Sequence, residues 1–492
     1  MNLPIRSTLF IGGAFEEPLS REAEAVFNPA TGEIFAEAPL GGEADLESAI
    51  SAARASFDRG VWRNVSARQR VEKMQIFHDH LMHRIEEIIP LIVTEAGALV
   101  GMARMAQFHA PMKNARYYLE AALQPSMSMA MAEVSPNAQG GKTLGAAAIL
   151  RDPVGVVAAI TAYNYPFMLN LVKCVAALLM GNSVVLKPSP YTPFEALILG
   201  DAALAAGLPA GVFNVITGGP EIGKRLTTDP RVDLVSFTGS DVVGAAIAVQ
   251  AAPTLKRVIM ELGGKSAMIV QPDANLERAL AAGLNALVSH SGQACVCLSR
   301  HLVHNSIRED YVAKLRERVN GIRIGDPADP TSQMGPLIRN VACERVERYV
   351  ASTIKAGGKL VFGGRRPNHT GKGYFYEPTL FDSVDNSWPI AQEEVFGPVA
   401  VVIGYDTDEE AIQLANDTNY GLNAAIFSAD AGRAFEMAKE LRSGGVSLNG
   451  GAGTMLSDAP FGGIKRSGYG REMGAEGLWE FSQTKTIGFN AA

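Results

Sequence analysis

Cysteine is scarce in this chain of 492 residues, which contains four. Four cysteines in a chain of this size do not make a disulfide framework, so the composition favours a reducing compartment, and we expect a cytoplasmic protein. The histidines are too scattered for the ligand spacing of a zinc site, and no metal is expected. No apolar run approaches the length of a membrane span, and the first 18 residues contain no apolar core of signal-peptide length.

A cationic block is also missing. Lysine and arginine are spread along the chain and the formal net charge is −7. This charge argues against nucleic acid or an anionic membrane as partner. The length is too great for one hydrophobic core and predicts two or three domains. Hydrophobic residues at 47% and charged residues at 19% are ordinary for a globular enzyme.

Short apolar runs alternate with helical patterns in the central part of the chain. The predicted strands are 154–161, 183–189, 212–217 and 232–240. The alternation predicts βαβ units and a mostly parallel sheet, in which ligands bind outside the carboxyl ends of the strands. The polar residues that collect at those ends are Asn164, Lys187, Ser189, Gly219 and the turn 237–240. We therefore expect a cofactor there.

The segment SHSGQACVCLS (289–299) bends through Gly292 and carries Cys295 and Cys297. The small neighbours of Cys295 leave its sulfur approachable, and a thiol in such a bend near a helix end can be held as a thiolate. A buried structural cysteine is the alternative, since free cysteine is among the most buried residue types. The local sequence does not decide between them.

Two further features allow two interpretations each. Glu261 follows an apolar strand and precedes two glycines, where a carboxylate would lie in a cleft; an exposed strand-end glutamate is the alternative. The turn FTGSDVVG (237–244) is Gly-rich and precedes a helix, which suits a phosphate, but it lacks the usual dinucleotide spacing. A structural turn is equally consistent with it.

Eight short motifs follow one another along the chain. They are AYNYPF (162–167), LKPSPYTP (186–193), FTGS (237–240), ELGGKS (261–266), GQAC (292–295), EEVFGP (393–398), NYGLNAAIF (419–427) and PFGGIKRSGYGRE (460–472). Together they resemble the NAD(P)-dependent aldehyde dehydrogenase superfamily, in its hydrolytic, non-CoA-acylating branch. The resemblance implies an α/β fold with a Rossmann-type cofactor domain, an α/β catalytic domain and a small β oligomerisation arm.

The resemblance also implies domain bounds. The cofactor-binding domain would comprise 1–124 and 152–261, the catalytic domain 262–465, and the oligomerisation arm 125–151 and 466–492. The stretch from 124 to 145 is rich in Met, Ser, Ala, Gln and Gly and has no strong apolar period, which is typical of such an arm. A homodimer or homotetramer is expected.

The resemblance assigns catalytic roles to three residues. Cys295 would attack a small-molecule aldehyde to give a thiohemiacetal, with the Asn164 amide and its own backbone N–H stabilising the oxyanion. After hydride transfer, Glu261 would activate the water that hydrolyses the thioester. Lys173 and Glu472 match positions linked to a proton path.

The expected cofactor is NAD, with NADP left open because Pro190 stands where many NAD-preferring relatives carry an acidic residue. Lys187 would contact the adenosine ribose, and Glu394 and Phe396 the nicotinamide end. Gly219 and Ser240 would lie near the pyrophosphate. The remaining expected cofactor residues are Ile160, Thr161, Tyr163, Ser189, Phe237, Gly239, Leu262 and Gly263.

The substrate is expected to be a hydrophobic aldehyde, aromatic or medium-chain aliphatic. The candidate pocket walls are Tyr165, Leu169, Val172, Val296, Met455 and Phe461. They include no Arg or Lys, which disfavours a carboxylated semialdehyde, and Val172 is small where several relatives carry a bulky aromatic. Packing alone could also explain these side chains. The alternatives are a CoA-acylating relative, which the presence of Glu261 disfavours, and a non-enzymatic binding protein on the same fold.

Overall fold

The structure is a computed structural model that describes residues 3–136, 138–368, 370–450 and 456–491. The strands in chain order are β1 (Leu9–Ile11), β2 (Ala14–Glu16), β3 (Glu22–Asn28), β4 (Glu33–Leu40), β5 (Met127–Met129), β6 (Glu133–Pro136), β7 (Lys142–Pro153), β8 (Val156–Ile160), β9 (Ser183–Lys187), β10 (Phe213–Val215), β11 (Leu234–Thr238), β12 (Arg257–Glu261), β13 (Ala267–Val270), β14 (Arg300–His304), β15 (Lys359–Phe362), β16 (Thr379–Asp382), β17 (Val399–Tyr405), β18 (Asn423–Phe427), β19 (Gly445–Leu448), β20 (Gly468–Tyr469) and β21 (Ser482–Ala491).

The α-helices in chain order are α1 (Glu43–Asp58), α2 (Ala67–His83), α3 (Ile85–Ala96), α4 (Val100–Met102), α5 (Ala110–Ala121), α6 (Pro166–Leu179), α7 (Phe194–Ala205), α8 (Pro220–Thr228), α9 (Asp241–Ala251), α10 (Leu276–Val288), α11 (Asn305–Val319), α12 (Asn340–Lys355), α13 (Pro389–Gln392), α14 (Asp408–Asn416), α15 (Ala431–Glu440) and α16 (Gly474–Trp479). A π-helical stretch, Ala103–His109, joins α4 to α5. Short 3₁₀ turns lie at Ala252–Thr254, Ser289–Gly292 and Lys465–Ser467.

The first sheet has the strand order β2-β1-β10-β9-β8-β11-β12-β20. Its five central strands, from β10 to β12, are parallel, and β1, β2 and β20 add antiparallel edges. The chain adds β9 and β10 on one side of β8 and then β11 and β12 on the other. The order therefore reverses between β8 and β11, where a crevice for a ligand opens in doubly wound folds.

Alternate residues of β8 face two hydrophobic cores. Val157 and Ala159 pack with α2, α3, α5, α6 and α7, whereas Val156 and Ala158 pack with α1, α8 and α9. All five residues of β8 are buried, which explains why the strand is a continuous apolar run rather than an alternating one. Helices on both faces thus hold the carboxyl end of the strand in a fixed position.

The second sheet has the strand order β15-β16-β17-β14-β13-β18-β19, parallel except at β15. The chain reaches it from β12 through the segment 262–266, and the segment 293–299 lies between α10 and β14. Leu262 N–H donates to Ser467 O and Ser467 Oγ donates to Gly263 O, which ties the crossing segment to the C-terminal loop.

The third sheet is antiparallel and is built from β5, β6, β7 and β21. β21 pairs with β7 from Ser482 opposite Pro153 to Ala491 opposite Leu144. Both parts of the expected arm therefore contribute to one sheet, although β20 of the same C-terminal range pairs with β12 in the first sheet. The domain bounds and the joining of subunits stay predictions.

Within the described residues, no helix combines the length and the apolar character needed to cross a membrane. The same residues contain no group of three or more His, Cys, Asp or Glu side chains placed to hold a metal ion.

Candidate active site

A polar cavity of about 610 Å³ opens at the crevice between β8 and β11. Its lining residues are Ala162, Tyr163, Asn164, Thr238, Gly239, Ser240, Asp241, Val242, Glu261, Leu262, Gly263, Cys295, Arg345, Tyr349, Gln392, Glu393, Glu394, Phe396, Asn419, Tyr420 and Arg466. They come from the carboxyl ends of β8, β11 and β12 on one side and from the second sheet and its loops on the other. The cavity therefore lies between the two sheets.

A second cavity of about 210 Å³ is lined mainly by apolar side chains. Its lining residues are Ala106, Ala110, Asn164, Tyr165, Met168, Leu169, Val172, Thr238, Ala282, Asn285, Ala286, Ser289, Ala294, Cys295, Val296, Cys297, Leu298, Phe461, Glu472 and Met473. Asn164, Thr238 and Cys295 line both cavities. Cys295 thus lines both the polar cavity and the apolar cavity.

The bend before Cys295 has an unusual backbone. His290, Ser291 and Gly292 have φ of 46°, 54° and 72°, three successive residues in the left-handed region. Such strain persists only where the surroundings fix it. Ser291 Oγ donates to Gly335 O (2.6 Å), and Gln293 Oε1 accepts from Ile338 N–H (2.9 Å). Side chains of the loop therefore hold the cysteine in place.

Gly292 allows a matched test of this bend. A Cβ at Gly292 would lie 2.1 Å from the Gly397 carbonyl oxygen, whereas Gly371 has φ of 69° and open space around it. We expect both Gly→Ala changes to cost about 1–2 kcal/mol for the left-handed backbone, and Gly292→Ala to cost about 1–3 kcal/mol more for overpacking. Thermal unfolding measures the stability, and the rate of Cys295 alkylation by iodoacetamide reports the bend. Equal losses in the two variants would contradict a clash at Gly292.

Asn164 lies two residues before α6, which begins at Pro166 because proline lacks the N–H that a first-turn residue does not need. The Asn164 side chain is buried, and its Nδ2 donates to Gln293 O at 3.0 Å. A primary amide carries two N–H donors, so one hydrogen of Nδ2 remains for a second acceptor, and Asn164 lines both cavities. The Asn164 amide and the Cys295 loop are therefore held together.

Glu261 ends β12 and is buried, and neither of its carboxylate oxygens has a hydrogen-bond partner among the described residues. Its Oε1 lies against Gly462, where a Cβ would be 2.6 Å away. Burial, and next the nearby Glu472 carboxylate, raise the pKa of Glu261 well above its usual range. A raised pKa makes the ionised carboxylate a stronger base than an ordinary glutamate, which suits a general base.

Lys173 and Glu472 form a buried ion pair, with 2.5 Å between Lys173 Nζ and Glu472 Oε1. Lys173 Nζ also donates to Ser236 Oγ at 3.2 Å. Glu472 is fixed by paired backbone hydrogen bonds with Phe461. Because Glu472 and Lys173 both influence the pKa of Glu261, the three ionisable groups form one cluster, and Glu472 also lines the apolar cavity.

The electrostatics around Cys295 do not favour a thiolate, which was one of the two possibilities that the local sequence left open. Burial raises the pKa of the Cys295 thiol well above its usual range, and the carboxylates of Glu394 and Glu261 raise it further. The free thiol is therefore protonated and must lose its proton before it can act as a nucleophile.

The polar cavity suits a dinucleotide. Glu394 Oε1 accepts from Gly264 N–H at 3.0 Å, and a Cβ at Gly263 would lie 2.4 Å from Glu394 Oε2. Burial raises the pKa of Glu394 to about 7. Ser240 Oγ caps α9 by accepting from Val243 N–H, so the N-terminus of that helix opens on the cavity, where it favours a phosphate. These groups fit the hydroxyl and phosphate groups of NAD.

Lys187 ends β9 beside α8, whose N-cap is Gly219. Open space surrounds Gly219, and a Cβ at Gly223 would lie 3.6 Å from Lys187 Cε. Burial lowers the pKa of Lys187 to about 8. Lys187 and the start of α8 at Gly219 thus lie side by side, outside both cavities. We expect the part of an extended cofactor that is far from Cys295 to lie there.

The expected site residues fall into three groups. Tyr163, Gly239, Ser240, Leu262, Gly263, Glu394 and Phe396 line the polar cavity. Tyr165, Leu169, Val172, Val296 and Phe461 line the apolar one. Ile160, Thr161, Lys187, Ser189, Gly219 and Phe237 lie at or beside the strand ends but line neither cavity. Met455 lies outside the described residues, and the individual roles stay predictions.

Several lining residues were not expected from the sequence. In the polar cavity they include Asp241, Arg345, Tyr349, Asn419, Tyr420 and Arg466. In the apolar cavity they include Ala106, Ala110, Ala282, Ala286 and Met473. The motif NYGLNAAIF contains Asn419 and Tyr420 and could have indicated them. The alanines have no functional group that would mark them as site residues in the sequence, and only the packing of the fold places them at the cavity.

Fold and site together define an α/β protein with a dinucleotide crevice and a cysteine that lines two cavities. A model of the aldehyde dehydrogenase family matches residues 15–487, and the chain belongs to that family. A 3-succinoylsemialdehyde-pyridine dehydrogenase from a Pseudomonas species is 39% identical over 482 residues, which is 97% of each chain. The resemblance predicted from the motifs is confirmed.

Solved structures confirm the expected fold class. Betaine aldehyde dehydrogenase from Staphylococcus aureus, in complex with NAD+, superposes with a TM-score of 0.94 at 35% identity, covering 98% of this chain and 94% of that one. An aldehyde dehydrogenase from Mycobacterium tuberculosis, also complexed with NAD+, gives 0.91 at 37% identity, covering 98% and 97%.

Proposed function

We propose that this enzyme oxidises a neutral hydrophobic aldehyde, aromatic or medium-chain aliphatic, to the carboxylic acid with NAD+. One observation carries the proposal: Cys295 lies where a polar cavity and an apolar cavity meet, with Asn164 at the same junction. An aldehyde in the apolar cavity and a cofactor in the polar cavity would both reach the sulfur. The hydride would then pass directly from the carbon bound to Cys295.

Attack on the aldehyde first requires deprotonation of Cys295. The Glu261 carboxylate lines the same cavity and has no hydrogen-bond partner of its own among the described residues. Burial disfavours charge on both groups and raises both pKa values, so the ionised Glu261 carboxylate is a stronger base than an ordinary glutamate and would accept the thiol proton. The thiolate then adds to the carbonyl carbon to give a thiohemiacetal.

The oxyanion that develops needs preorganised donors. The second hydrogen of the Asn164 amide and the backbone N–H of Cys295 would supply them. One such donor is typically worth about 3 kcal/mol in the transition state. The bond from Asn164 Nδ2 to Gln293 O fixes the amide before substrate arrives, so little reorganisation is needed.

Bound NAD+ supplies the hydride acceptor. Glu394 would hold the nicotinamide ribose, Phe396 would lie against the nicotinamide, and Ser240 at the start of α9 would face the pyrophosphate. Lys187 would reach the adenosine ribose. NAD+ in the complexes of the Staphylococcus aureus and Mycobacterium tuberculosis enzymes supports this cofactor.

The thioester left on Cys295 would be hydrolysed by water that Glu261 activates. Lys173 and Glu472 would carry the proton away from Glu261, since their ion pair lies beside it. A CoA-acylating enzyme would instead pass the acyl group to CoA. Because a buried carboxylate without a partner suits water activation, hydrolysis is the better supported reaction.

The apolar cavity indicates the substrate class. Glu472 is the one charged residue among its described lining, and this carboxylate is already paired with Lys173. A substrate carboxylate would find no cation there. The pyridine ring in the name of the Pseudomonas relative supports an aromatic substrate. Betaine aldehyde is a cation that needs several aromatic faces, and the described lining offers Tyr165 and Phe461.

We therefore expect kcat/KM to be highest for benzaldehyde and hexanal, and lower for succinic semialdehyde and betaine aldehyde. NADH formation without CoA measures the rates, and liberation of free acid identifies the product. Val172→Phe should lower kcat/KM for benzaldehyde about 10–200-fold and spare acetaldehyde, the control substrate. An absolute requirement for CoA would replace hydrolysis by acylation, and no NADH with any aldehyde would favour a binding protein.

We also propose that the enzyme is a homodimer or homotetramer joined through the third sheet. Its strands expose large apolar side chains, among them Met127, Met129, Val134, Leu144 and Phe489. Exposed apolar patches of this kind are typical of protein interfaces. Light scattering of the purified chain measures the assembly.

A further inference from the structure

The π-helical stretch Ala103–His109 lies beside the apolar cavity. The N–H of Ala110 donates to Met105 O, five residues back, and Ala106 lines the cavity. π-helical turns are rare and occur frequently at functional sites. The wide turn places two neighbouring residues, Gln107 and Phe108, inside the protein with no exposed surface. Neither of them lines a described cavity.

Both residues contact the segment that carries Asn164. Gln107 Nε2 donates to the Asn164 backbone oxygen at 3.2 Å. The Phe108 ring stacks on Phe167, with 5.3 Å between centroids and 8° between planes. Asn164 itself precedes α6 and belongs to no regular element, so these contacts substitute for the helix or sheet bonds that would otherwise orient it.

The His290 ring also lies near the Asn164 carbonyl, which acts to raise the pKa of that ring. Burial lowers the pKa of His290 to about 4, and the ring is neutral near pH 7. Neither ring nitrogen makes a hydrogen bond among the described residues. Gln107 is therefore the side chain that the structure shows bonded to this carbonyl.

We infer that Gln107 is a positioning residue for the oxyanion donor Asn164. The bond from Gln107 fixes the Asn164 peptide on one side, and the bond from Asn164 Nδ2 to Gln293 O fixes the amide on the other. With both in place, the free amide hydrogen points at the aldehyde oxygen. The inference rests on the proposed function, because it gives Gln107 a role only if Asn164 stabilises the oxyanion.

The test is a double-mutant cycle with Gln107→Leu, Gln107→Met and Asn164→Ala, measured as kcat and KM with benzaldehyde and NAD+. Loss of one neutral hydrogen bond predicts that either Gln107 variant lowers kcat about tenfold, with the KM for NAD+ unchanged. Asn164→Ala should lower kcat about 10²–10³-fold. In the Asn164→Ala background the Gln107 change should cost nothing further, since residues that act through one another are not additive.

Gln271→Leu is the matched control. Gln271 is also buried and donates to Asp408 Oδ1 at 2.8 Å; it lies just after β13 and lines neither cavity. This variant should lower the unfolding temperature and leave kcat unchanged. Gln107→Met keeps an unbranched chain of similar length, so it decides the question if Gln107→Leu does not fold.

The outcomes separate the two claims. Parental kcat in Asn164→Ala would overturn the oxyanion role of Asn164, and the inference about Gln107 with it, while aldehyde oxidation itself would stand. A large loss in Asn164→Ala, combined with parental kcat in the Gln107 variants, would overturn the inference about Gln107 alone. Losses that multiply in the double variant would do the same, because a purely structural role does not depend on the Asn164 amide.

Discussion

Replacing Cys295 by alanine should lower kcat for aldehyde oxidation by about 10⁴-fold or more, since the covalent route then has no nucleophile. The expectation follows from the position of Cys295, which lines both cavities. NADH formation measures the loss. Titration with NAD+ by calorimetry should give an unchanged affinity, because the polar cavity keeps its other groups. A variant that retained even a hundredth of the parental rate would contradict the assignment.

Cys297 provides the matched control for this change. It lies two residues away and also lines the apolar cavity, but it is absent from the polar one. Burial raises the pKa of its thiol to about 12. Cys297→Ala should therefore keep kcat within a few-fold, while alkylation by iodoacetamide at Cys295 should still abolish activity. Comparable losses in the two variants would mean that the segment, rather than one sulfur, is needed.

The first sheet could be predicted from the sequence because its signals are local. β8, β9, β10 and β11 are short apolar runs separated by helical patterns, and buried parallel strands need no alternation. The motifs identified the family, and the family implied a Rossmann-type cofactor domain. Strands that are encoded by a short run of neighbouring residues could therefore be predicted from the sequence.

The far wall of the polar cavity could not be predicted in the same way. Arg345 comes from α12 and Tyr420 from the loop before β18, and they meet Thr238 only because two sheets pack against each other. The left-handed backbone at His290 and Ser291 could not be predicted from the sequence either. Of the three residues, only Gly292 is of a type that commonly adopts positive φ. His290 and Ser291 are held in that conformation by tertiary contacts such as the hydrogen bond from Ser291 to Gly335.

The π-helical stretch shows the limit of periodicity. Residues 86–124 have a helical pattern, and the sequence alone predicts a helical continuation through Gln107. The extra residue in the turn arises from packing, since Phe108 stacks on Phe167 while Gln107 reaches Asn164. Periodicity cannot distinguish a π turn from an α turn when only tertiary contacts favour it.

Glu261→Gln should separate the two halves of the reaction. The glutamine cannot take a proton from water, so we expect a burst of NADH equal to the active sites, followed by steady turnover slowed about 10²–10⁴-fold. Stopped-flow absorbance measures the burst, and mass spectrometry of the quenched enzyme should find the acyl group on Cys295. If Glu261 is also the group that deprotonates Cys295, the burst itself will be slower than in the parent.

The pH dependence of thioester hydrolysis is a second test of Glu261 as the general base. Burial and Glu472 raise the pKa of Glu261, and only its ionised form is a base. Thioester hydrolysis should therefore increase as pH rises through that pKa, which lies above the usual glutamate range, and should fall at lower pH as the carboxylate is protonated. In Glu261→Gln this dependence should be absent. A variant with parental turnover, or an unchanged pH profile, would show that another group activates the water.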